Sequence, residues 1–414
     1  MALGLALNAL IGAILLSWTD PKRRNAVLAF GTAGAAIAML SIGTALDGAW
    51  RRAFTIGLWR ADSIPTTVED YRKFTRKLDV VYNRDGAGAR VSVVRGSLGG
   101  GGGNYFSLKV NAKTDASSMG DLSTQLLAGH IPTLLHTNPV DGLVVGCGSG
   151  VTAGALLHHP EMRQVDLVEI SPEVIEAART WFGPYNRDCL KNPKLKLAVE
   201  DAKSFLKTTQ RQYDVIVTEP SNPWMAGVSA VFSREYYEDC LARLKPGGIC
   251  AQWLQDYETD DATVDLVVAT FSSVFPNSSV WQTSLGDLLL VGAPGPLTID
   301  LEKTATKLLV PEIAADMKAI SVEGMTAFLS MQLVGFGDPI FLANPGTRLH
   351  SDFNPVLEYA AQRAFFVRSR ATKMQNASEL RLRRPRTLLA RWLRDHPVTV
   401  EDCRRMLEYY DNNG

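Results

Sequence analysis

Three glycines at alternate positions, Gly146, Gly148 and Gly150, follow the apolar run Gly142-Leu143-Val144-Val145 and precede a helix-like segment from Thr152 to His158. A buried strand that ends in a glycine-rich turn and hands on to a helix is a nucleotide cradle. Glycines let the backbone approach the ligand, and the free N–H groups at the helix start face it. About twenty residues on, a second apolar strand, Val165 to Ile170, carries Glu169 at its end, where a carboxylate can grip both hydroxyls of a ribose.

The dinucleotide fingerprint needs a third glycine one place after Gly150, where Val151 stands. The spacing Gly146, Gly148, Gly150 suits S-adenosylmethionine-type ligands better, with Ser149 inside the turn. Two further strands end in polar residues. Leu195 to Val199 runs into Glu200-Asp201-Ala202, where an acid can accept an adenine amino group, and Asp214 to Val217 runs into Thr218-Glu219-Pro220-Ser221-Asn222-Pro223. In open α/β sheets, ligands collect at the carboxyl edge of the strands. Each acid alone is equally a solvated loop carboxylate; recurrence at successive strand ends favours a site.

Placing these ends side by side takes alternating strands and helices, and the chain supplies them from Val140 to about Gly292. Strands are expected at 142–146, 164–170, 195–199, 214–218 and 248–254, and helices at 152–158, 172–182, 202–207, 233–244 and 260–274. Leu244-Lys245-Pro246-Gly247-Gly248 reads as a helix stop before a strand. Val280-Trp281-Gln282 and Asp287 to Val291 flank Ser284-Leu285-Gly286 as a terminal hairpin on a largely parallel sheet. Upstream, the period-two runs near 78–82, 90–94 and 105–110 predict a small antiparallel β-meander. The five glycines Gly99 to Gly103 lie between two of these strands with no helix following, so they read as a hairpin tip. Asp115 to Gln125 reads as a polar connection to a helix over Leu126 to Leu135.

Met1 to Thr19 and Asn25 to Leu46 carry no charged side chain, and the second run is long enough to cross a bilayer. Trp18 and Trp50 fall near the run ends, as interfacial anchors do. A membrane hairpin is the reading preferred over a signal peptide or a soluble helical hairpin. Lys22, Arg23 and Arg24 favour a cytoplasmic loop between the runs, whereas Arg51 and Arg52 pull the following domain inward; the cytosolic origin of the nucleotide favours a cytoplasmic domain. The whole chain has 414 residues, a formal net charge of zero and 46% apolar residues, which gives no case for nucleic-acid binding. Cys147, Cys189, Cys240, Cys250 and Cys403 are scattered and read as reduced packing residues. The six histidines lack paired-ligand spacing, so no metal is expected; His158-His159 reads as a helix-end cap or dipole partner.

The sequence resembles the spermidine synthase (polyamine aminopropyltransferase) family, and especially its membrane-fused bacterial relatives. The resemblance covers roughly Leu78 to Val367. It rests on Val110 to Ser117, Gly120-Asp121 with Thr124-Gln125, Gly129-His130-Ile131-Pro132, Gly146 to Gly150, Val168-Glu169-Ile170, Glu219 to Gly227, Pro246-Gly247-Gly248 with Gln252-Trp253-Leu254, and Asp352 to Tyr359. It implies an α/β, Rossmann-like S-adenosylmethionine-dependent methyltransferase/spermidine synthase fold with a small N-terminal β-domain, to which the apolar runs add an N-terminal transmembrane hairpin. The expected organisation is two transmembrane helices at 1–48, a linker at 49–77, the β-domain at 78–125, the catalytic domain at 126–295, its C-terminal part at 296–366 and a basic helical tail at 367–414 that is solvated or touches lipid headgroups.

The resemblance further implies a homodimer, a small-molecule amine substrate and decarboxylated S-adenosylmethionine as co-substrate. Glu219 is the expected proton acceptor. Gly146, Gly148, Ser149, Gly150, Glu169, Asp201, Ala202 and Gln125 are the expected nucleoside site; Asp115, Asn222, Trp224 and Tyr257 are the expected amine side, with Trp253 either walling the pocket or packing the core. The chain departs from the family pattern at Ser149, where an acid usually holds the donor's amino group, at Glu219 and Asn222, which replace two aspartates, at Asp115, which aligns with a glutamine, and at Thr124-Gln125-Leu126. Two other functions fit the same residues: a methyltransferase using intact S-adenosylmethionine, and a non-catalytic nucleoside-binding membrane module.

Overall fold

The computed structural model describes residues 49–60, 64–97, 104–338, 348–374 and 386–413, with isolated helical positions between 8 and 40. The expected membrane hairpin at 1–48 therefore falls largely outside the described residues, as do the tip Gly99 to Gly103 and most of the basic run from Arg381 to Arg386. Among the described residues no helix is long and apolar enough to cross a membrane.

Helices α1 (Ala49–Thr55) and α2 (Val68–Arg76) lead into a four-stranded sheet in sequential order, β1 (Asp79–Asp85), β2 (Arg90–Ser97), β3 (Asn104–Val110) and β4 (Lys113–Ser117). The fourth strand was not expected; its residues from Asp115 to Ser117 open the stretch read as a polar connection. It forms because Asn111 and Ala112 both take positive φ (50° and 70°), closing a two-residue turn whose twist matches a hairpin.

A compact unit containing Asp115–Gly414 with the short stretches Gly86–Ala89 and Tyr105–Leu108 carries every candidate site residue. It opens with α3 (Leu122–Leu135), four residues longer at its start than the apolar pattern suggested. There follow β5 (Asp141–Val145), α4 (Val151–Leu157), β6 (Gln164–Glu169), α5 (Pro172–Trp181), β7 (Leu195–Val199), α6 (Ala202–Thr208), β8 (Tyr213–Thr218), α7 (Arg234–Arg243), β9 (Leu244–Gln255), α8 (Asp261–Val274), β10 (Asn277–Ser284) and β11 (Asp287–Ala293). Strand β9 begins at Leu244, so the Pro246-Gly247-Gly248 stretch lies within the strand.

The sheet order is β12-β10-β11-β9-β8-β5-β6-β7, with β7, β6, β5, β8 and β9 parallel and β11 and β10 antiparallel. The expected terminal hairpin is present, but it is not the edge: β12 (Gln332–Val334), inside the region read as helical, pairs with β10. The order runs outward in both directions from β5. The topological switch lies between β5 and β8, and the carboxyl ends flanking such a switch are where open α/β sheets bind ligands. At the opposite edge, Lys245 Nζ bridges Asp141 (2.5 Å) and Asp214 (2.8 Å), pinning the starts of β5, β8 and β9. The core between sheet and helices holds Tyr236, Tyr237, Phe271 and Phe275, with Tyr237 edge-on to Phe271 at 5.1 Å. Burial of each such ring stabilises by roughly 1.5–3 kcal/mol.

Beyond the sheet come α9 (Leu301–Lys307), α10 (Pro311–Ala319), α11 (Met325–Ser330), α12 (Val356–Phe366), α13 (Leu388–Trp392) and α14 (Val400–Asn413). The C-terminal segment is not simply a solvated tail. Leu388, Leu389 and Tyr409 are buried, and the Tyr409 hydroxyl donates to the carbonyl of Thr283 at 3.1 Å. The apolar residues of α13 and α14 fix them to the domain despite the basic run that precedes α13.

Candidate active site

The glycine turn is built by its neighbours. Gly146 N–H donates to the Val168 carbonyl (2.9 Å), and Glu219 N–H donates to the Val145 carbonyl (2.9 Å), so the ends of β5, β6 and β8 are tied at one point. Gly146 has φ +91°, and a Cβ there would stand 2.5 Å from the Glu219 carbonyl oxygen. Gly146→Ala is therefore expected to cost about 1–3 kcal/mol from the backbone conformation alone and to push Glu219 out of place; a denaturant titration beside an activity assay would register both losses. Gly150, φ +83°, turns the chain into α4, and its missing Cβ leaves room for Asn186, whose amide donates to the Ser149 carbonyl at 2.7 Å.

Glu169 stands at the end of β6, as its position after the apolar run required. Its Oε2 accepts from Cys147 N–H (2.9 Å) and its Oε1 from Ser171 N–H (2.8 Å), with Ile170 N–H a further donor, which leaves acceptor capacity for a ligand hydroxyl. Burial raises its pKa, opposed by those backbone donors. Asp201 is exposed and caps α6, accepting from Ser204 N–H at 2.9 Å, which leaves its other oxygen at the rim beside Ala202.

Glu219 follows β8 directly. The residue is half-buried, but its carboxyl lies at the enclosed end of the side chain, and desolvation pushes its pKa up to about 7, helped by the charges of Asp287 and Asp121. Its Oε2 is in a short hydrogen bond with Thr152 Oγ1, which also lies 3.0 Å from the Gln125 carbonyl. One hydroxyl has one proton. When Glu219 is protonated it donates to Thr152, which donates to Gln125; when Glu219 ionises, the hydroxyl turns to the carboxylate. Thr152→Val removes the only side chain shown donating to that carboxylate. A hydrogen bond to a charged group is worth about 1.5–3 kcal/mol, so the acid limb of a pH–rate profile is expected to move up by about one to two units.

Other sequence candidates serve as braces. Every polar atom of the Gln125 side chain is engaged: Nε2 donates to the Ser117 and Asp121 carbonyls (2.9 Å each) and Oε1 accepts from Ser149. Ser149 is thereby held inside the turn, 1% exposed. Asp115 Oδ1 accepts from Ser221 Oγ at 2.8 Å, joining the middle of β4 to the loop after β8. Trp224 is buried and stacked on Phe365, ring centroids 4.4 Å apart, as a packing residue would be. Tyr257 is half-buried beside Gly286, whose absent Cβ would lie 3.0 Å from the ring. Asn222 is fully buried, and neither polar atom of its side chain has a hydrogen-bond partner among the described residues.

The structure adds residues that sequence inspection missed. Asp287 is buried at the start of β11 and accepts from Thr124 Oγ1 (2.9 Å), Ser284 Oγ (2.7 Å) and Trp253 Nε1 (3.1 Å). Trp253 is thus an orienting donor as well as a packing residue. Asp287 pairs in register with Gln255, so the two side chains share a sheet face. The Gln255 amide is likewise buried without a partner among the described residues. Burial raises Asp287 and takes Asp256 up to about 6. The available signal was an acid opening the apolar run Leu288 to Val291. The histidine reading also changes: His158 does cap α4, but its ring meets Asp316, and His159 turns inward to His130. A surface cavity lined by Asn277, Phe336, Arg386 and Arg391 contains none of the candidate site residues and is not the site described above.

Residues 122–286 match the family model of the spermine/spermidine synthase domain. The chain is 34% identical over 146 residues to the polyamine aminopropyltransferase of Nitrosomonas europaea, an alignment covering 35% of this chain and 45% of that protein. It is 31% identical over 178 residues to the spermidine synthase of Dictyostelium discoideum, covering 43% and 62% respectively. The chain thus spans about half the length of these curated relatives. The crystal structure of spermidine synthase from Thermotoga maritima aligns at 19% identity over 70% of this chain and 88% of that chain, with a TM-score of 0.45. The glycine turn, Glu169, Asp201, Glu219 and Asp287's hairpin neighbour Gly286 all lie within the stretch, residues 122–286, that is similar to the spermine/spermidine synthase domain.

Proposed function

We propose that the protein is a membrane-anchored aminopropyltransferase, moving an aminopropyl group from decarboxylated S-adenosylmethionine to a small-molecule amine in polyamine biosynthesis. The observation that carries this reading is an enclosed carboxyl, Glu219, at the switch point beside the glycine turn and Glu169. The chemistry asks for little else. A neutral amine attacks the methylene beside the sulfonium, the carbon–sulfur bond breaks, and neutral methylthioadenosine leaves. Alignment supplies most of the rate. The incoming ammonium has no lone pair until a base takes its proton, and Glu219 in its carboxylate form is that base. A bound sulfonium favours the carboxylate, so donor binding readies the base.

Incubating the full-length protein with labelled decarboxylated S-adenosylmethionine and a panel of amines, and looking for methylthioadenosine, tests this directly. A methyltransferase using intact S-adenosylmethionine is the second reading. It is favoured by Ser149, whose hydroxyl is given to Gln125 and which brings no charge for the donor's ammonium. Calorimetry with the two donors separates them: a preference for the decarboxylated form supports aminopropyl transfer.

The membrane anchor rests on the two uncharged runs and on the segment immediately after them. Residues 49–77 carry seven Arg or Lys against three Asp or Glu, with Phe54, Trp59 and Phe74 exposed, which suits an anionic bilayer surface. We place the domain on the cytoplasmic side of a bacterial inner membrane, where the donor is made. Protease protection in inverted vesicles reads the side, and sedimentation in detergent reads the expected homodimer.

A further inference from the structure

Behind the glycine turn, three helical segments bring imidazoles and a carboxylate together. His130 lies in the middle of α3, His158 caps α4 and Asp316 lies in α10. Asp316 Oδ2 is 2.6 Å from His158 Nδ1 and 3.2 Å from His130 Nε2, and these three atoms lie within 4.8 Å of one another. We propose that His130 Nε2, His158 Nδ1 and Asp316 Oδ2 are protein ligands for a divalent transition-metal ion of the zinc class, which clips α10 to the back of α3 and α4. The inference is independent of the aminopropyl-transfer reading, because none of these residues belongs to that site.

The donor set fits the ion. Two imidazoles and one carboxylate oxygen are ligands that zinc accepts at about 2.0–2.2 Å, with a fourth, open position for water. Tetrahedral bonds of that length put ligand atoms roughly 3.3 Å apart. The His130–Asp316 edge already matches. The His158–Asp316 edge, 2.6 Å, must open by about 0.7 Å to reach that spacing, and His158 is the least enclosed of the three, with its side chain 14% exposed against 0% and 5%.

The surroundings behave as an outer shell. His130 Nδ1 is 3.1 Å from His159 Nε2, the second-nitrogen contact that orients a metal-bound imidazole. The other oxygen of Asp316 meets Arg187 at 3.4 Å, leaving Oδ2 to face the rings. Arg187 and Lys307 are the cations whose charge acts on this cluster, and Asp316 is its anion.

Metal-free, neutral His130 donates its Nε2–H to Asp316 and accepts from His159 at Nδ1. On loading, His130 must free Nε2 and carry its proton on Nδ1, donating to His159 Nε2. His159 Nδ1, buried and without a partner among the described residues, then takes the displaced proton. His158, whose Nδ1 faces the same Asp316 oxygen at 2.6 Å, likewise moves its proton from Nδ1 to Nε2, so all three rings change tautomer with no net proton released from them.

Full-length protein stripped with chelator and titrated with Zn2+ or Co2+ should bind one equivalent. Cobalt should give the visible absorption of a four-coordinate ion, loading should raise the thermal midpoint, and 15N spectra should show His159 exchanging one protonated nitrogen for the other. His158→Ala and Asp316→Asn should each weaken binding by about a hundredfold or more, and the second, being nearly isosteric, guards against misfolding of the first. Failure to bind near-stoichiometric metal, or full retention of the ion in both variants, would show that the cluster is a hydrogen-bond network only and overturn the proposal.

Discussion

Glu219→Gln is expected to abolish aminopropyl transfer while leaving the affinity for methylthioadenosine within about threefold of the parent. The substitution keeps the size and the contact with Thr152 and removes only the ability to accept a proton. General-base contributions run to about 10²–10⁴-fold, so the residual rate should fall by at least two orders of magnitude. The pH dependence gives an independent reading with a fixed sign. Burial raises Glu219 to about 7, so in the free protein the base form is lost as pH falls through that value. The acid limb of kcat/KM, which reports the free enzyme, should lie near pH 7; the limb of kcat should lie lower, because the bound sulfonium stabilises the carboxylate. Gln at 219 should erase the limb. If transfer and nucleoside binding fall together in the variant, Glu219 is a structural prop and the proton goes elsewhere.

Glu169→Ala is expected to weaken methylthioadenosine binding by about a hundredfold or more, since hydrogen bonds to a charged acceptor are worth about 1.5–3 kcal/mol each. It should also destabilise the fold. The carboxylate satisfies the N–H groups of Cys147 and Ser171, and each buried donor left alone costs about 1–3 kcal/mol. Glu169→Gln separates the two effects. The amide retains one acceptor, so much of the stability should return while ribose affinity stays low. Unchanged nucleoside affinity in a folded Gln variant would remove this residue from the ribose. The two experiments divide the site into a nucleoside half and a reacting half, and the expected results are opposite: binding fails first at 169, chemistry fails first at 219.

Most of the larger α/β unit was legible because its signals are local. Apart from the early start of β9, the strands of the parallel sheet appear within a residue or two of the expected bounds, since strands buried on both faces read as unbroken apolar runs. The exceptions were elements held by distant partners. Strand β12 is three residues long and exists because β10 offers an edge. Strand β4 depends on a turn in which Asn111 and a non-glycine, Ala112, both adopt positive φ, a weaker cue than an Asn-Gly pair. The tail pattern was dominated by its charges, which hid the few apolar side chains that dock it.

The sequence by itself determined the cradle: a strand, a turn that only glycine permits at Gly146 and Gly150, and an acid at the end of each neighbouring strand. These are short-range consequences of backbone geometry and hydrophobic periodicity, so they can be read from neighbouring residues. Tertiary structure alone decided the chemistry of the acids. Thr152 meets Glu219 across 67 positions, Thr124 meets Asp287 across 163 and His130 meets Asp316 across 186. A carboxyl's pKa depends on how much water it has lost and which charges face it, and both are properties of packing that no local spacing contains.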